Sequence, residues 1–402
     1  MSNSRASNRS SAWSVFLIFM RLGLTSFGGP IAHLGYFRDE FVTRRLWLTE
    51  RSYADLVALC QFLPGPASSQ VGIALGMSRA GYRGALAAWA GFTLPSAIAL
   101  ILFALGISRY GAVIHPGGLH GLKVVAVAVV AQAVWGMARN LCTDVPRITL
   151  MAIASCATLL EPSAWGQISV IIVAGLTGLL LFNPGQSTEH DPLPITIRHR
   201  TGAIWLSLFL ALLVGLPLLS QLLPNQTVAL MDAFYRSGSL VFGGGHVVLP
   251  LLQAEVVPSG WVSNEVFLAG YGAAQAVPGP LFTFAAFLGA SMNSTPSGWL
   301  GGMICLLAIF APSFLLIIGA LPFWERLRRS ARTQAALIGV NAAVVGLLLA
   351  ALYQPVWTSA ILKPQDFGLA MVALVALMFW KLPPWLVVVG SGIAGWFLSV
   401  ML

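Results

Sequence analysis

Gln61-Phe62-Leu63-Pro64-Gly65-Pro66 returns later in the chain as Gln275-Ala276-Val277-Pro278-Gly279-Pro280. Trp47 precedes the first copy and Trp261 the second, at the same spacing. Ahead of each tryptophan lies a glycine break, Phe27-Gly28-Gly29-Pro30 in one half and Phe242-Gly243-Gly244-Gly245 in the other. Pro-Gly-Pro cannot continue a helix. Proline lacks the backbone donor and clashes with the preceding turn, and the residue before it avoids the α region. A helix broken at the same place in both halves of a hydrophobic chain is the pattern of a transporter's substrate site.

Composition places those breaks in a membrane. Of 402 residues, 57% are hydrophobic and 9% charged, and mean hydropathy is +0.82. Soluble domains carry about 25% charged residues. Apolar runs near the length of a helical span recur throughout, unlike the short alternating segments of a barrel. The formal charge of +9 fits the basic bias of cytoplasmic loops; attraction of an anion is the other reading. Cys60, Cys142, Cys156 and Cys305 stand singly, so neither a disulfide framework nor a zinc site is indicated. There is no P-loop, no HExxH motif and no paired acid and base on a defined face. No cofactor, metal, catalytic residue or nucleic-acid partner is expected, and the chain does not read as an enzyme.

Taken in order, residues 1–11 read as a disordered tail and the run from Trp13 as structure rather than a leader peptide. Residues 12–182 form a first transporter repeat, 183–230 a polar linker with one connecting helix, and 231–402 a second repeat. Broken runs fall at 13–37 and 53–77, and again at 231–252 and 266–292. Plain runs fall at about 84–107, 118–139, 148–160, 165–182, 203–223, 298–321, 335–353, 366–380 and 384–402. Pro95-Ser96 echoes Pro312-Ser313, and Val129-Val130-Ala131 echoes Val344-Val345-Gly346.

Arginines fix the relation of the halves. Segment 38–51 holds Arg38, Arg44, Arg45 and Arg51, whereas its counterpart 253–265 has no Lys or Arg. Segment 106–121 has only Arg109 among its arginines, whereas 322–334 has Arg326, Arg328, Arg329 and Arg332. The bias is swapped, so the halves lie in opposite orientations. The expected fold is an all-α integral membrane protein, two homologous halves as an inverted repeat, with broken, re-entrant helices at the Phe-Gly-Gly and Pro-Gly-Pro breaks. In this topology the plain runs span, the N-terminus is cytoplasmic and the C-terminus periplasmic.

After each Pro-Gly-Pro a half-helix begins. Its first N–H groups lack helical partners and its dipole is positive there, which suits an anion. Pro66, Ser68, Ser69 and Gln70 stand at that end in the first half; Leu281, Phe282 and Thr283 stand there in the second. A structural kink is the plain alternative. Gly28, Gly29, Gly243 and Gly244, with Gly65 and Gly279, allow close backbone approach to a substrate or to another helix. Ionisable groups in apolar stretches are functional candidates. Arg21 and Arg38 are candidate cations for the anion, with snorkelling the alternative for Arg21. Gln61 and Gln275 can donate amide protons or cap the break. Asp55, Glu40, Glu255, His33 and His246 are candidates for coupling, with ion pairing or structural hydrogen bonding the plainer fate.

Together these motifs resemble the chromate ion transporter family in its long, duplicated form. The resemblance runs from Phe27-Gly28-Gly29-Pro30 through Phe37-Arg38, Trp47 and Tyr53-Ala54-Asp55-Leu56 to Gln61–Gln70. It resumes at Phe242–Pro250, Trp261, Gln275–Pro280 and Gly339–Gly346. It implies a bacterial or archaeal inner-membrane carrier that exports chromate and confers chromate resistance, with sulfate as the competing anion, the lipid bilayer as its surroundings and a homodimer left open. The residues alone argue only for an anion. A sulfate or other oxyanion uptake carrier and an anion channel remain the alternatives.

Overall fold

The computed structural model describes residues 11–110, 116–183, 197–328 and 330–401. The tail at 1–10 and most of the polar linker lie outside these. Every regular element among the described residues is helical. The first half comprises α1 (Ala12–Thr25), α2 (Gly29–Arg38), α3 (Glu50–Phe62), α4 (Ala67–Tyr110), α5 (Pro116–Leu141), α6 (Val145–Leu160) and α7 (Ala164–Leu181). The connecting helix is α8 (His199–Leu222). The second half comprises α9 (Gln226–Ser239), α10 (Val248–Val256), α11 (Asn264–Ala274), α12 (Phe284–Ala290), α13 (Gly298–Ala320), the short α14 (Trp324–Arg328), α15 (Ala331–Ala351), the single turn α16 (Thr358–Ala360), α17 (Pro364–Met378) and α18 (Pro384–Met401).

Local chemistry sets the breaks. The Ser11 side chain accepts from Ser14 N at 3.1 Å to start α1. That helix stops at Ser26, where Gly28 and Gly29 take φ of 101° and 78°, a region closed to most side chains. Thr49 caps α3. Leu63 is extended, with ψ 147°, as expected of a residue before proline. α4 is really two helices, because Ala80 and Gly81 leave helical conformation. The half-helix 67–79 folds back on 82–110, and Gly76 and Gly84 meet where a Cβ would strike backbone at 2.2 Å and 2.1 Å. The second half repeats this with α12 on α13, where a Cβ on Gly289 would lie 2.2 Å from the Gly301 carbonyl.

Among the described residues, seven helices are long and apolar enough to cross a membrane. Two runs expected to span, now α6 and α17, fall short of that length, and they are each other's counterparts. The halves are interleaved rather than side by side. α5 packs on α17 and α18 of the other half, and α15 packs on α6 and α7. Small residues let these backbones meet: a Cβ on Gly121 would lie 2.2 Å from the Ser391 carbonyl, and one on Gly339 2.1 Å from that of Ala174. α1 packs on α4 as α9 packs on α13. Leu, Val and Ile side chains stay exposed along α7, α8 and α18, the outer surface expected of helices facing lipid.

Candidate functional site

The breaks meet crosswise at the centre of this frame. Gly65 N–H donates to the Val241 carbonyl at 2.7 Å, and Gly279 N–H donates to the Ser26 carbonyl at 2.9 Å. Each Pro-Gly-Pro thus docks on the Phe-Gly-Gly break of the other half. The Ser96 hydroxyl donates to the Pro278 carbonyl. Ser313, its counterpart, sits against Gly65, where a Cβ would come within 3.0 Å of its Oγ. Of the repeated Pro-Ser dipeptides, the first thus bonds a break, while the second only packs against one.

One crossing leaves space. A cavity of about 60 Å³ is lined by Gly28, Gly29 and Pro30 from the first glycine break, by Gln275 and Gly279 from the second Pro-Gly-Pro, and by Gln132 of α5 and His246. A buried water needs only about 10–15 Å³ of such space, so a small polyatomic ion fits. α2 begins here. Its N-cap is Gly28, which offers no side-chain cap, so the N–H groups of its first turn have no helical partner. Gln275 Nε2 is buried with no hydrogen-bond partner. No Lys, Arg, Asp or Glu lines the cavity. What it offers is a set of neutral donors, which suits an oxyanion.

The other crossing is more crowded around its glycines. A Cβ on Gly243 would meet Leu141, Asn341 and Met137 at 3.2 to 3.4 Å, and one on Gly244 would meet Met137 at 3.5 Å. Gln61 is exposed, unlike its counterpart Gln275. Ser68, Ser69 and Gln70 are buried at the start of α4, behind Pro66 and outside the lining of the cavity. Gln70 Nε2 donates to the Pro64 carbonyl at 2.7 Å, while Ser69 Oγ and Gln70 Oε1 have no partner.

Glu40 and Glu255 head two ion-pair clusters away from the cavity lining, and of the ionisable candidates His246 alone is in that lining among the described residues. Glu40, buried, accepts from Arg45 at 2.8 Å, Arg21 at 3.3 Å and Arg44 at 3.5 Å. Burial pushes its carboxyl up, but the three guanidiniums outweigh that and hold it below its usual range. Arg38 pairs at 2.6 Å with Glu50 on the surface. Glu255 accepts from Arg236 at 2.5 Å, and Arg236 also reaches Asp232 at 2.9 Å. Here burial prevails over the single arginine and raises the Glu255 carboxyl. Asp55 is buried in α3. His33 lies on Phe92 with Nε2 3.2 Å from the Ser26 carbonyl, so Nε2 carries the proton and donates. His246 Nδ1 lies 2.8 Å from the Tyr271 hydroxyl.

Sequence reasoning missed Arg236, yet a signal was present. Arg236 stands 19 residues before Glu255, as Arg21 stands 19 before Glu40. It also missed Gln132 and Tyr271, for which the repeat offered no clue.

A family model described as chromate transporter matches residues 13–179 and again 228–396. A protein named as a probable chromate transport protein, from Synechococcus elongatus, is 26% identical over 94% of this chain and 93% of its own length. The chromate transport protein of Pseudomonas aeruginosa is 27% identical over 95% and 91%. An uncharacterized transporter of Methanocaldococcus jannaschii is 25% identical over 85% and 84%. No solved structure matches the chain significantly.

Proposed function

The chain belongs to the chromate transporter family, and from that premise we propose that it exports chromate from the cytoplasm as a secondary carrier, giving chromate resistance. The observation that carries the reading is the central cavity, where backbone and amide donors converge without a fixed positive charge. A tetrahedral dianion shedding water exchanges it for preorganised N–H groups. The start of α2 and Gln275 supply them in this reading, and Gly28, Gly29 and Gly279 allow the approach. Neutral donors keep binding moderate, so that the ion can leave again. Ser68, Ser69 and Gln70 form a second polar station beside the path.

Export needs no ATP. One charge crossing 100 mV is worth about 2.3 kcal/mol, so a dianion leaving an inside-negative cell gains roughly twice that. The interleaved packing supports a particular moving unit: α5 with α17 and α18, against α15 with α6 and α7. Glu40 and Glu255, in their ion-pair clusters, are placed to sense the change, and proton exchange at Glu255 adds drive. The N-terminus is cytoplasmic in this account, and the C-terminus periplasmic.

Radiolabelled chromate uptake into everted membrane vesicles tests the proposal, with and without an imposed potential and with sulfate as competitor. Saturable uptake driven by a positive interior is expected. Uptake of sulfate but not chromate overturns the substrate, and flux that never saturates overturns the carrier.

A further inference from the structure

Tyr271 lies on α11 at 0% exposure, walled by Phe284 at 5.6 Å between ring centroids. A tyrosine sealed in an aromatic wall needs a partner for its hydroxyl. That partner, among the described residues, is His246 Nδ1 at 2.8 Å. His246 lines the cavity, and its Nε2 makes no hydrogen bond among the described residues.

Two arrangements fit the short contact, and they differ in what the cavity meets. Neutral imidazole carries one proton. If Nδ1–H donated to the tyrosine oxygen, the buried Tyr271 O–H would have no acceptor, and Nε2 would turn a lone pair toward the cavity. If Tyr271 donates to Nδ1, its own proton is satisfied and the imidazole proton resides on Nε2. A buried donor left without a partner costs about 1–3 kcal/mol, so the second arrangement prevails.

We infer that Tyr271 is a positioning residue, which locks His246 in the Nε2–H tautomer so that the imidazole presents a hydrogen-bond donor to an oxyanion in the cavity. This rests on the cavity being the substrate site. It gives His246 a role other than proton carriage. The ring, held neutral and oriented, joins Gln275 as a second side-chain donor. Both come from the second half, facing the α2 end from the first. His33 differs, because the Ser26 carbonyl accepts its Nε2–H and takes up that donor, and His33 is not in the described cavity lining. The same chemistry selects for an anion rich in acceptors and against a cation or a donor-bearing solute.

The test uses the full chain, labelled with ¹⁵N-histidine and purified in detergent. The His246 signals are identified by their loss in His246→Gln. Nitrogen shifts report which ring atom carries the proton, and chromate affinity is measured on the same preparations. Protonated Nε2 and bare Nδ1 are expected in the parent. Tyr271→Phe keeps the ring and its packing, so it folds; it should release the tautomer and weaken chromate binding about 3- to 10-fold. A proton on Nδ1 in the parent overturns the inference. So does unchanged affinity in Tyr271→Phe while Gln275→Ala still weakens binding, and the cavity reading survives that result. If neither substitution alters chromate affinity, the cavity reading falls and takes the inference with it.

Discussion

The two arginine–glutamate pairs occupy equivalent places in the repeat but carry opposite charge balance. Around Glu40 gather Arg21, Arg44 and Arg45 against one carboxylate. Around Arg236 gather Glu255 and Asp232 against one guanidinium. The first cluster opens to solvent, with the Arg21 side chain 58% exposed; the second is closed, with Arg236 at 10%. Duplication kept the link between the two pieces of the first broken run of each half and the segment after it, since both pairs join positions 19 residues apart. Divergence changed what surrounds it. Arginines gathered at one pair and missing at its counterpart fit the arginine bias of an inverted repeat.

The largest expected effect comes from removing the arginines. Arg236→Ala leaves two carboxylates buried without a counter-charge, which costs about 3–5 kcal/mol. Arg21→Ala leaves Glu40 with Arg44 and Arg45 as counter-charges and removes an arginine that is itself exposed, a loss of about 0–1 kcal/mol. Thermal unfolding in detergent should separate the two variants clearly. Equal losses would mean that the clusters are alike after all.

A smaller effect sharpens the same contrast through pH. The Glu40 carboxyl is held below its usual value of 4.5, so the folded state binds fewer protons there than the unfolded chain does. Its contribution is present above pH 4.5 and is lost as pH falls through the depressed value. Glu255 is raised from 4.5, so the sign reverses. Its contribution is greatest below 4.5 and declines as pH rises through the raised value. Stability profiles should show Glu40→Gln flattening the acid limb and Glu255→Gln flattening the decline above it. Identical profiles for the two would contradict the asymmetry.

Much of the architecture was legible in the chain. The repeated Pro-Gly-Pro and Phe-Gly-Gly runs marked the breaks because proline and positive-φ glycine act locally, without tertiary help. The interleaving was not legible. Nothing in the period of α5 says that it seats on α17 and α18, because apolar faces in a membrane protein are interchangeable until small residues such as Gly121 and Gly395 meet. The runs read at 148–160 and 366–380 are helical where expected, as α6 and α17, but both are among the shorter apolar helices rather than those long enough to span. The sequence pointed to the half-helix at Ser68–Gln70, while the described cavity opens at the glycine break on α2 and at Gln275. Both are helix ends freed by the same rule, and only packing decides which has space. Met137 and Leu141 crowd the glycines of the second break, whereas among the described residues nothing comes within 4 Å of a Cβ on Gly29 in the first.

The sharpest test compares Gln275 with its repeat partner Gln61 by equilibrium chromate binding to the purified protein. Gln275 turns an unpartnered amide into the central region, whereas Gln61 lies exposed at the other break. Gln275→Ala should weaken binding about 10-fold, the worth of one hydrogen bond to a charged ligand, and Gln61→Ala should leave it unchanged. Weakening by Gln61→Ala with Gln275→Ala unaffected would place the anion at the other crossing and contradict the account.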